Sequence, residues 1–368
     1  MSRVLDTFLD LVRISSPMGR ERGVAEYAEA ALRSAGCDVR FDETQARTGA
    51  DTGNLIARLP GTAPGTAIAF SAHMDCVQPC EGVVPVVDAG VVRSAGETVL
   101  GGDDKAGVAA IIEAVRRLSA VEMPHPDVIV LLTVSEEQGL LGAKALAAED
   151  AAADLCLVLD ADGAVGGIVV ASPTHYTFTA TFHGTASHAG VEPEKGVSAI
   201  RIAARAIERM ELGRLDEGTT ANIGVIEGGS ATNVVAPACM VRGECRSLRA
   251  DRVEAVRSAM DAILRGSAEE FGGTVTVAWS LEYRGFTVAD DAPAVALVRA
   301  AMADIGLEGR TFATGGGSDG NAFSALGIPT LVLATGMSKV HSTSEELEVA
   351  QLELLADLLV AVAGRAAV

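Results

Sequence analysis

Hydrophobic residues in the first part of the chain fall into short continuous runs separated by a helical pattern. The runs, at residues 54–59, 67–71, 127–134 and 154–159, predict buried strands. Between them, residues 105–118 repeat apolar side chains at helical spacing. Buried strands that alternate with helices are typical of βαβ units in a largely parallel sheet.

The pattern changes near Ser172. Residues 176–182 alternate apolar and polar side chains, as expected of a half-exposed antiparallel strand. The elements predicted next are a helix at 197–211, strands at 221–227 and 241–246, a helix at 251–271 and a strand at 274–281. This order is that of a ferredoxin-like α+β sandwich.

The α/β pattern resumes near Asp290, with a helix predicted at 292–305 and an apolar strand at 328–334. We therefore predict a doubly wound α/β domain with a mostly parallel sheet, formed by residues 1–172 and 289–368. Residues 173–288 are predicted to form an inserted ferredoxin-like domain. The length of 368 residues agrees with two domains of about 150 residues or more.

Charge and composition narrow the classes of partner. The formal net charge is −20, which disfavours binding to nucleic acid and to anionic membrane surfaces. No run of about 18 uniformly apolar residues predicts a membrane span. The six cysteines are scattered and the N-terminus predicts an amphipathic helix instead of a secretory signal, so a cytoplasmic location is expected.

Acidic and imidazole side chains cluster at the ends of the predicted strands, where open α/β sheets bind ligands. They are His73, Asp75, Asp103, Glu136, Glu137, Asp160 and His341. Each has an ordinary alternative, such as a helix N-cap for Asp103 or a solvated helix start for the Glu-Glu pair. Their joint placement favours a metal site.

Imidazole and carboxylate ligands suit Zn²⁺, with Co²⁺ and Mn²⁺ as alternatives. The supply of ligands is sufficient for two divalent ions. Asp103 is the natural bridge between them, because its loop crosses the site. His73 and Asp160 would then complete one ion, and Glu137 and His341 the other.

Two acids of the cluster remain for other roles. Asp75 lies two residues from His73 on an extended segment, so it can accept the imidazole N–H and fix the tautomer. Glu136 is free to act as a general base. Asp162 is an alternative to Asp160 as a ligand.

Several other features have competing interpretations. Cys76 and Cys80 could suggest a zinc site, but structural sites normally need a second cysteine or histidine pair, and none follows nearby. Of the remaining histidines, His125 is predicted in a surface loop, and His175 and His183 are predicted to face solvent. The glycine run at 315–320 lacks the lysine of a phosphate-binding loop.

The candidate ligands lie in motifs that resemble those of a known superfamily. It is the superfamily of zinc peptidases that includes peptidase T, carboxypeptidase G and aminoacylase. The sequence GDDKAG is most similar to the corresponding motif of peptidase T. The motifs are SAHMD at 71–75, GDDKAG at 102–107, SEE at 135–137, LD at 159–160 and the late His341.

The resemblance implies the metal ligands and base inferred above, in a catalytic domain whose insertion is a lid and dimerisation domain. His188, in GTASHAG, would polarise the substrate carbonyl. Asn233 and Arg246 would hold the substrate carboxylate. Gly316 and Ser318 lie in a segment similar to the family's glycine-rich loop beside the substrate.

The function that the resemblance implies is a homodimeric, two-metal aminopeptidase acting on tripeptides or dipeptides. A second possibility within the same chemistry is an amidohydrolase that removes an N-acyl or N-carbamoyl group from an amino acid. From another class, a non-catalytic metal-binding protein on the same scaffold is the alternative.

Overall fold

The computed structural model describes residues 2–120 and 123–367. The chain divides into two compact units. The first consists of Met1–Val170, Thr287–Ala313 and Ser318–Val368, and the second of Ala171–Phe286 and Thr314–Gly317.

The helices and strands alternate along the first unit and change order in the second. The helices are α1 (Arg3–Arg13), α2 (Arg22–Ser34), α3 (Gln45–Thr48), α4 (Gly102–Ala120), α5 (Leu141–Ala145), α6 (Ala199–Arg209), α7 (Ala250–Glu270), α8 (Pro293–Asp304), α9 (Asp319–Ala325) and α10 (Val349–Ala366), with a 3₁₀ turn at Pro193–Lys195. The strands are β1 (Asp38–Phe41), β2 (Leu55–Leu59), β3 (Ile68–His73), β4 (Pro85–Asp88), β5 (Val91–Ser94), β6 (Val128–Thr133), β7 (Leu155–Ala161), β8 (Gly167–Ser172), β9 (Thr174–His183), β10 (Gly213–Asp216), β11 (Thr219–Gly228), β12 (Ala238–Ser247), β13 (Thr274–Tyr283), β14 (Phe286–Thr287), β15 (Arg310–Ala313), β16 (Thr330–Ala334), β17 (Met337–Ser338) and β18 (Glu346–Glu348).

The main sheet has the strand order β1-β2-β6-β3-β7-β16-β8-β14, with β15 paired to β8. Its centre, β6-β3-β7-β16, is parallel. The flanking strands β1, β2 and β8 pair antiparallel, so the sheet is mixed. Every residue of β3 and β6 is buried, which is why these strands are continuous apolar runs. The predicted α/β fold class is confirmed.

Helix α4 is the central helix of the first unit. Val108, Ile111, Ile112 and Val115, the predicted apolar face, are all buried. The helix packs against β3, and α1 and α10 cover it. Each of these side chains contributes about 1.5–3 kcal/mol through burial, so the start of α4 is firmly anchored at the edge of the sheet. A small sheet, β17-β18-β5-β4, was not predicted because its strands have only two to four residues.

The second unit contains an antiparallel sheet in the order β10-β11-β12-β9-β13. Helices α6 and α7 cover one face of this sheet. Alternate residues of β9, Phe178, Ala180 and Phe182, enter the core between them. The βαββαβ order that the sequence predicts is present, with β10 added as an edge strand.

Two histidines differ from their predicted surroundings. His125 is 1% exposed, and its Nδ1 lies 2.9 Å from the Pro126 carbonyl oxygen, so it is not a surface residue. His175 is also buried, and its Nε2 pairs with Glu244 Oε2 at 2.8 Å. His183 is exposed as predicted.

All six cysteines are free thiols in buried positions. Cys76 and Cys80 share a small apolar cluster with Val99. Across residues 2–120 and 123–367, no helix has the length and apolar character needed to cross a bilayer.

Candidate metal centre

Three strand ends and one helix start bring the candidate ligands together in the first unit. His73 is the last residue of β3, Glu137 follows β6, and Asp160 lies near the end of β7. The three strands are parallel neighbours, so their carboxyl ends share one edge of the sheet. Asp103 enters from the start of α4, where Asp103 and Asp104 have non-helical backbone angles.

The carboxylate of Asp103 lies between two imidazoles. Its Oδ1 is 3.0 Å from Nε2 of His73, and its Oδ2 is 3.1 Å from Nε2 of His341. Nε2 of His341 is also 2.9 Å from Oε1 of Glu137. Each oxygen of Asp103 therefore faces a different set of donor atoms, which is the arrangement that a bridging carboxylate needs.

Asp160 and Asp162 are distinguished by position. Oδ1 of Asp160 lies 3.8 Å from Nε2 of His73, whereas Asp162 is exposed. Donor atoms lie within 4.8 Å of one another in two groups, His73 with Asp103 and Glu137, and His73 with Asp104 and Asp160. The geometry thus favours Asp160 over Asp162 as the acid near the imidazole.

The charges of the cluster shift the pKa values of its members strongly. Burial alone would lower the pKa of His73, but Asp103 and Asp75 outweigh it and raise the pKa well above the ordinary value. Hydrogen bonds to Asp103 and Glu137 raise the pKa of His341 to about 10. Burial raises the pKa of Asp103, but the two imidazoles reverse this and lower it below its ordinary value.

Other carboxyls of the cluster have raised pKa values, in contrast to Asp103. Burial, with further contributions from neighbouring carboxylates, raises the pKa values of Asp104, Glu136 and Asp160 well above the ordinary range. Oε1 of Glu137 is buried, 2.9 Å from Nε2 of His341. These carboxylate and imidazole donors are crowded, and all except the half-exposed His341 are buried or partly buried. Such a set fits divalent cations, which would neutralise the excess negative charge.

Asp75 makes contacts beyond the predicted one. Nδ1 of His73 is 3.0 Å from the backbone carbonyl of Asp75 and 3.4 Å from its Oδ1. The carboxylate also accepts the N–H groups of Glu136, at 2.9 Å, and Glu137, at 3.1 Å. Asp75 therefore orients the loop that carries these two acids as well as the imidazole.

Two acids that the sequence analysis did not single out hold the backbone of the ligand segments. Glu345 is buried and accepts the N–H groups of Gly101, at 2.8 Å, and Asp103, at 2.9 Å. Asp104 accepts the N–H of His73 at 3.2 Å. No local pattern predicts these contacts, because Glu345 and Asp103 are 242 residues apart.

Four predicted residues lie in the second unit. His188 and Asn233 are exposed neighbours, since the N–H of Ala189 donates to the Asn233 carbonyl at 2.9 Å. The Gly316 N–H donates to the Thr314 hydroxyl at 3.1 Å.

Arg246, the fourth of these residues, is paired within its own unit. Its Nη2 donates to Glu244 Oε2 at 2.9 Å, and its Nη1 donates to the Tyr283 hydroxyl at 3.3 Å. Its Nε is buried without a hydrogen-bond partner in the described part of the chain.

Ser318 lies in the first unit, at the N-cap of α9. Its hydroxyl oxygen accepts the N–H of Gly320 at 3.2 Å, and its own N–H donates to Asn321 Oδ1 at 3.1 Å. This reciprocal arrangement is a capping box. The Ser318 hydroxyl thus caps α9.

Two family profiles match parts of the chain. The profile "Peptidase dimerisation domain" matches residues 170–271, and "Peptidase family M28" matches residues 54–192. The first match covers most of the second unit, and the second contains His73, Asp103, Glu137 and Asp160.

Relatives of known and unknown function match nearly the whole chain, and three illustrate this. An uncharacterized protein of Bacillus subtilis is 42% identical over 365 residues, 99% of this chain and 98% of that protein. The crystal structure of aminopeptidase PepT from Bacillus cereus is 41% identical with a TM-score of 0.93, covering 99% of this chain and 98% of its own. The crystal structure of a tripeptidase from Staphylococcus aureus is 37% identical with a TM-score of 0.95, and the match covers 98% of this chain and 97% of the tripeptidase chain. The chain therefore belongs to the family of these PepT-type peptidases.

Proposed function

We propose that the protein is a two-metal aminopeptidase that hydrolyses tripeptides or dipeptides. The observation that carries this proposal is the carboxylate of Asp103, whose two oxygens face His73 and His341 separately. The names of the two solved relatives, an aminopeptidase and a tripeptidase, support short peptides as the substrate class.

We assign His73, Asp103 and Asp160 to one divalent ion, and Asp103, Glu137 and His341 to the other. Zn²⁺ is the first candidate for this donor set, with Co²⁺ and Mn²⁺ as alternatives. When bound, the ions would polarise the scissile carbonyl and lower the pKa of water at the site.

Glu136 is the proposed general base. It lies next to Glu137 but belongs to neither donor group, and the residue is only 8% exposed. It would take a proton from the attacking water and deliver it to the leaving amine. Asp75 keeps it in place, because the Asp75 carboxylate accepts the Glu136 backbone N–H.

The roles proposed for residues of the second unit follow from their motifs and chemistry. His188 would donate a hydrogen bond to the developing oxyanion. Arg246 and Asn233 would bind the substrate carboxylate, for which a guanidinium has the matching planar geometry. Gly316 and Ser318 are assigned to the loop beside the substrate, and a homodimer is proposed through the matched dimerisation domain.

The substrate class is tested with matched blocked and free peptides. We expect trialanine and dialanine to be hydrolysed in the presence of Zn²⁺, Co²⁺ or Mn²⁺. N-acetylated trialanine and N-acetylalanine should have kcat/KM values at least about 100-fold lower, because a site built to bind a free amine leaves its polar groups unpaired when the amine is blocked. Faster hydrolysis of N-acetylalanine than of either free peptide would show an amidohydrolase instead.

A further inference from the structure

Glu21 is a buried carboxylate to which the proposed reaction assigns no role. It lies immediately before α2 and is 0% exposed. Its Oε1 accepts hydrogen bonds from the Gly19 N–H at 2.8 Å, the Ser135 N–H at 3.1 Å and the Ser135 hydroxyl at 3.2 Å. Its Oε2 is buried without a hydrogen-bond partner in the described part of the chain. Because burying a carboxylate is unfavourable, the burial of Glu21 beside Ser135 requires a reason.

Ser135, the residue that Glu21 holds, directly precedes Glu136. Its φ is 53°, in the left-handed region that residues with a side chain rarely adopt. This conformation turns the chain sharply at the end of β6. The direction in which Glu136 leaves the strand therefore depends on keeping Ser135 in this conformation.

Three successive backbone amides of this loop donate to two buried carboxylates. The N–H of Ser135 donates to Glu21, and the N–H groups of Glu136 and Glu137 donate to Asp75. Such charge-assisted hydrogen bonds are stronger than those between neutral groups. The two acids together hold the segment that carries the proposed base and one proposed ligand.

The backbone carbonyl groups of the same loop accept hydrogen bonds from amides a few residues further along the chain. The Ser135 carbonyl accepts the N–H of Leu141 at 3.1 Å, and the Glu136 carbonyl accepts those of Gly139, at 2.9 Å, and Leu140, at 2.8 Å. The loop is thus closed on itself, and its amide side is attached to the rest of the unit by Glu21 and Asp75. Glu21 is 114 residues away in the sequence, so this attachment is entirely tertiary.

We propose that Glu21 is a positioning residue for Glu136, acting through the N–H and hydroxyl of Ser135. The proposal rests on the proposed function, in which Glu136 is the general base. Weakening the hydrogen bonds between Glu21 and Ser135 would let the Ser135 backbone relax and would displace the Glu136 carboxylate. A displacement of about 1 Å is enough to lower a rate by about 100-fold.

The test compares Glu21→Gln with Glu26→Gln in the metal-loaded enzyme. Glutamine keeps the size of the side chain but removes the charge, and Glu26 is an exposed residue of α2, the helix that begins directly after Glu21. We expect Glu21→Gln to lower kcat about 10- to 100-fold, as do substitutions of other residues that orient the groups of a metal site through hydrogen bonds. KM should remain within about twofold and the metal content unchanged. Glu26→Gln should match the wild type in every measurement.

Hydrogen exchange followed by mass spectrometry gives a readout that does not depend on activity. Amides in a peptide spanning residues 134–140 should exchange faster in Glu21→Gln than in the wild type, while peptides from α7 should be unchanged. Should Glu21→Gln fail to fold, Ser135→Ala is the second variant, because it removes only the hydroxyl donor. It should show a smaller loss of kcat with KM and metal content retained.

Glu136→Gln separates failure of this inference from failure of the proposed function. If Glu136→Gln is inactive but Glu21→Gln keeps kcat within twofold of the wild type, Glu21 does not position the base. If Glu21→Gln loses bound metal, or loses activity without faster exchange in the 134–140 peptide, the positioning role is also excluded. Retained activity in Glu136→Gln would overturn the proposed function itself.

Discussion

Asp103 is the residue on which the two-ion assignment depends. Its two carboxylate oxygens lie 3.0 and 3.1 Å from different imidazoles, so replacing it should affect both ions. We predict that Asp103→Ala retains fewer than about one ion per chain, whereas His341→Ala retains about one and the wild type about two. Elemental analysis after gel filtration in metal-free buffer provides the measurement. Equal metal contents in the two variants would show that Asp103 is not shared.

The reach of sequence reasoning is clearest for individual residues. His73, Glu137 and Asp160 could be predicted because the ends of apolar runs mark one edge of a parallel sheet. Glu21 and Glu345 could not be predicted, because their contacts with the ligand segments are hydrogen bonds to backbone amides more than 100 residues away. Their side chains have no pattern of their own along the sequence.

At the scale of elements, two helical glycines should respond oppositely to alanine. A Cβ at Gly107 in α4 would lie 2.5 Å from Oδ1 of Asp104 and 2.9 Å from the Leu159 carbonyl, so it would displace the acid that holds the His73 backbone. A Cβ at Gly266 in α7 meets nothing within 4 Å.

We therefore predict that Gly107→Ala lowers the free energy of unfolding by about 1–3 kcal/mol. Gly266→Ala should raise it by up to about 1 kcal/mol, because alanine has the better helix propensity. Thermal unfolding of both variants gives the comparison. A Gly107→Ala protein as stable as the wild type would mean that α4 and β7 can separate without cost.

An ion pair between the buried Glu113 and the more exposed Arg3 joins α1 to α4 and should make stability depend on pH. Nε of Arg3 donates to Oε2 of Glu113 at 2.7 Å, and Nε of Arg117 donates to Oε1 of Glu113 at 2.7 Å. Burial would raise the pKa of Glu113, but the two guanidinium groups outweigh it and lower the pKa below 4.5. A lowered folded-state pKa means that the stabilisation is present above the ordinary pKa and is lost as pH falls through the folded-state value.

Glu113→Gln should therefore lower the free energy of unfolding at pH 7 by about 1–3 kcal/mol. The difference from the wild type should shrink as the pH falls below 4.5. Asp10→Asn is the control, because the Asp10–Arg13 pair is more than half exposed on both sides and should contribute less than about 1 kcal/mol. Denaturation at a series of pH values measures both, and a pH-independent difference for Glu113→Gln would contradict the linkage.

Long elements were more predictable than short ones for a physical reason. β9 and α7 are long enough for their periodicity to define a buried face, and both occur where the pattern predicts them. The strands β17 and β18 have two and three residues, too few to show any period. The edge strand β10 of the second unit was not predicted for the same reason, since it has only four residues.

At the scale of the whole molecule, metal ions should stabilise the fold as well as serve the reaction. Burial raises the pKa values of Asp104, Glu136 and Asp160, and repulsion from neighbouring carboxylates raises them further; bound cations would relieve this repulsion. An ion at 100 times its Kd adds about 2.7 kcal/mol of stability. We predict that a chelator lowers the thermal midpoint and that added Zn²⁺, Co²⁺ or Mn²⁺ restores it. An unchanged midpoint would contradict metal binding at this cluster.

The most direct test of the whole account is Glu136→Gln in fully metal-loaded protein. The substitution keeps the size of the side chain and removes only its ability to take a proton. We predict that two ions per chain are retained, that trialanine still binds, and that kcat falls by about 100- to 10,000-fold. A variant with two bound ions and a kcat within a few-fold of the wild type would show that Glu136 is not the base and would contradict the proposed reaction.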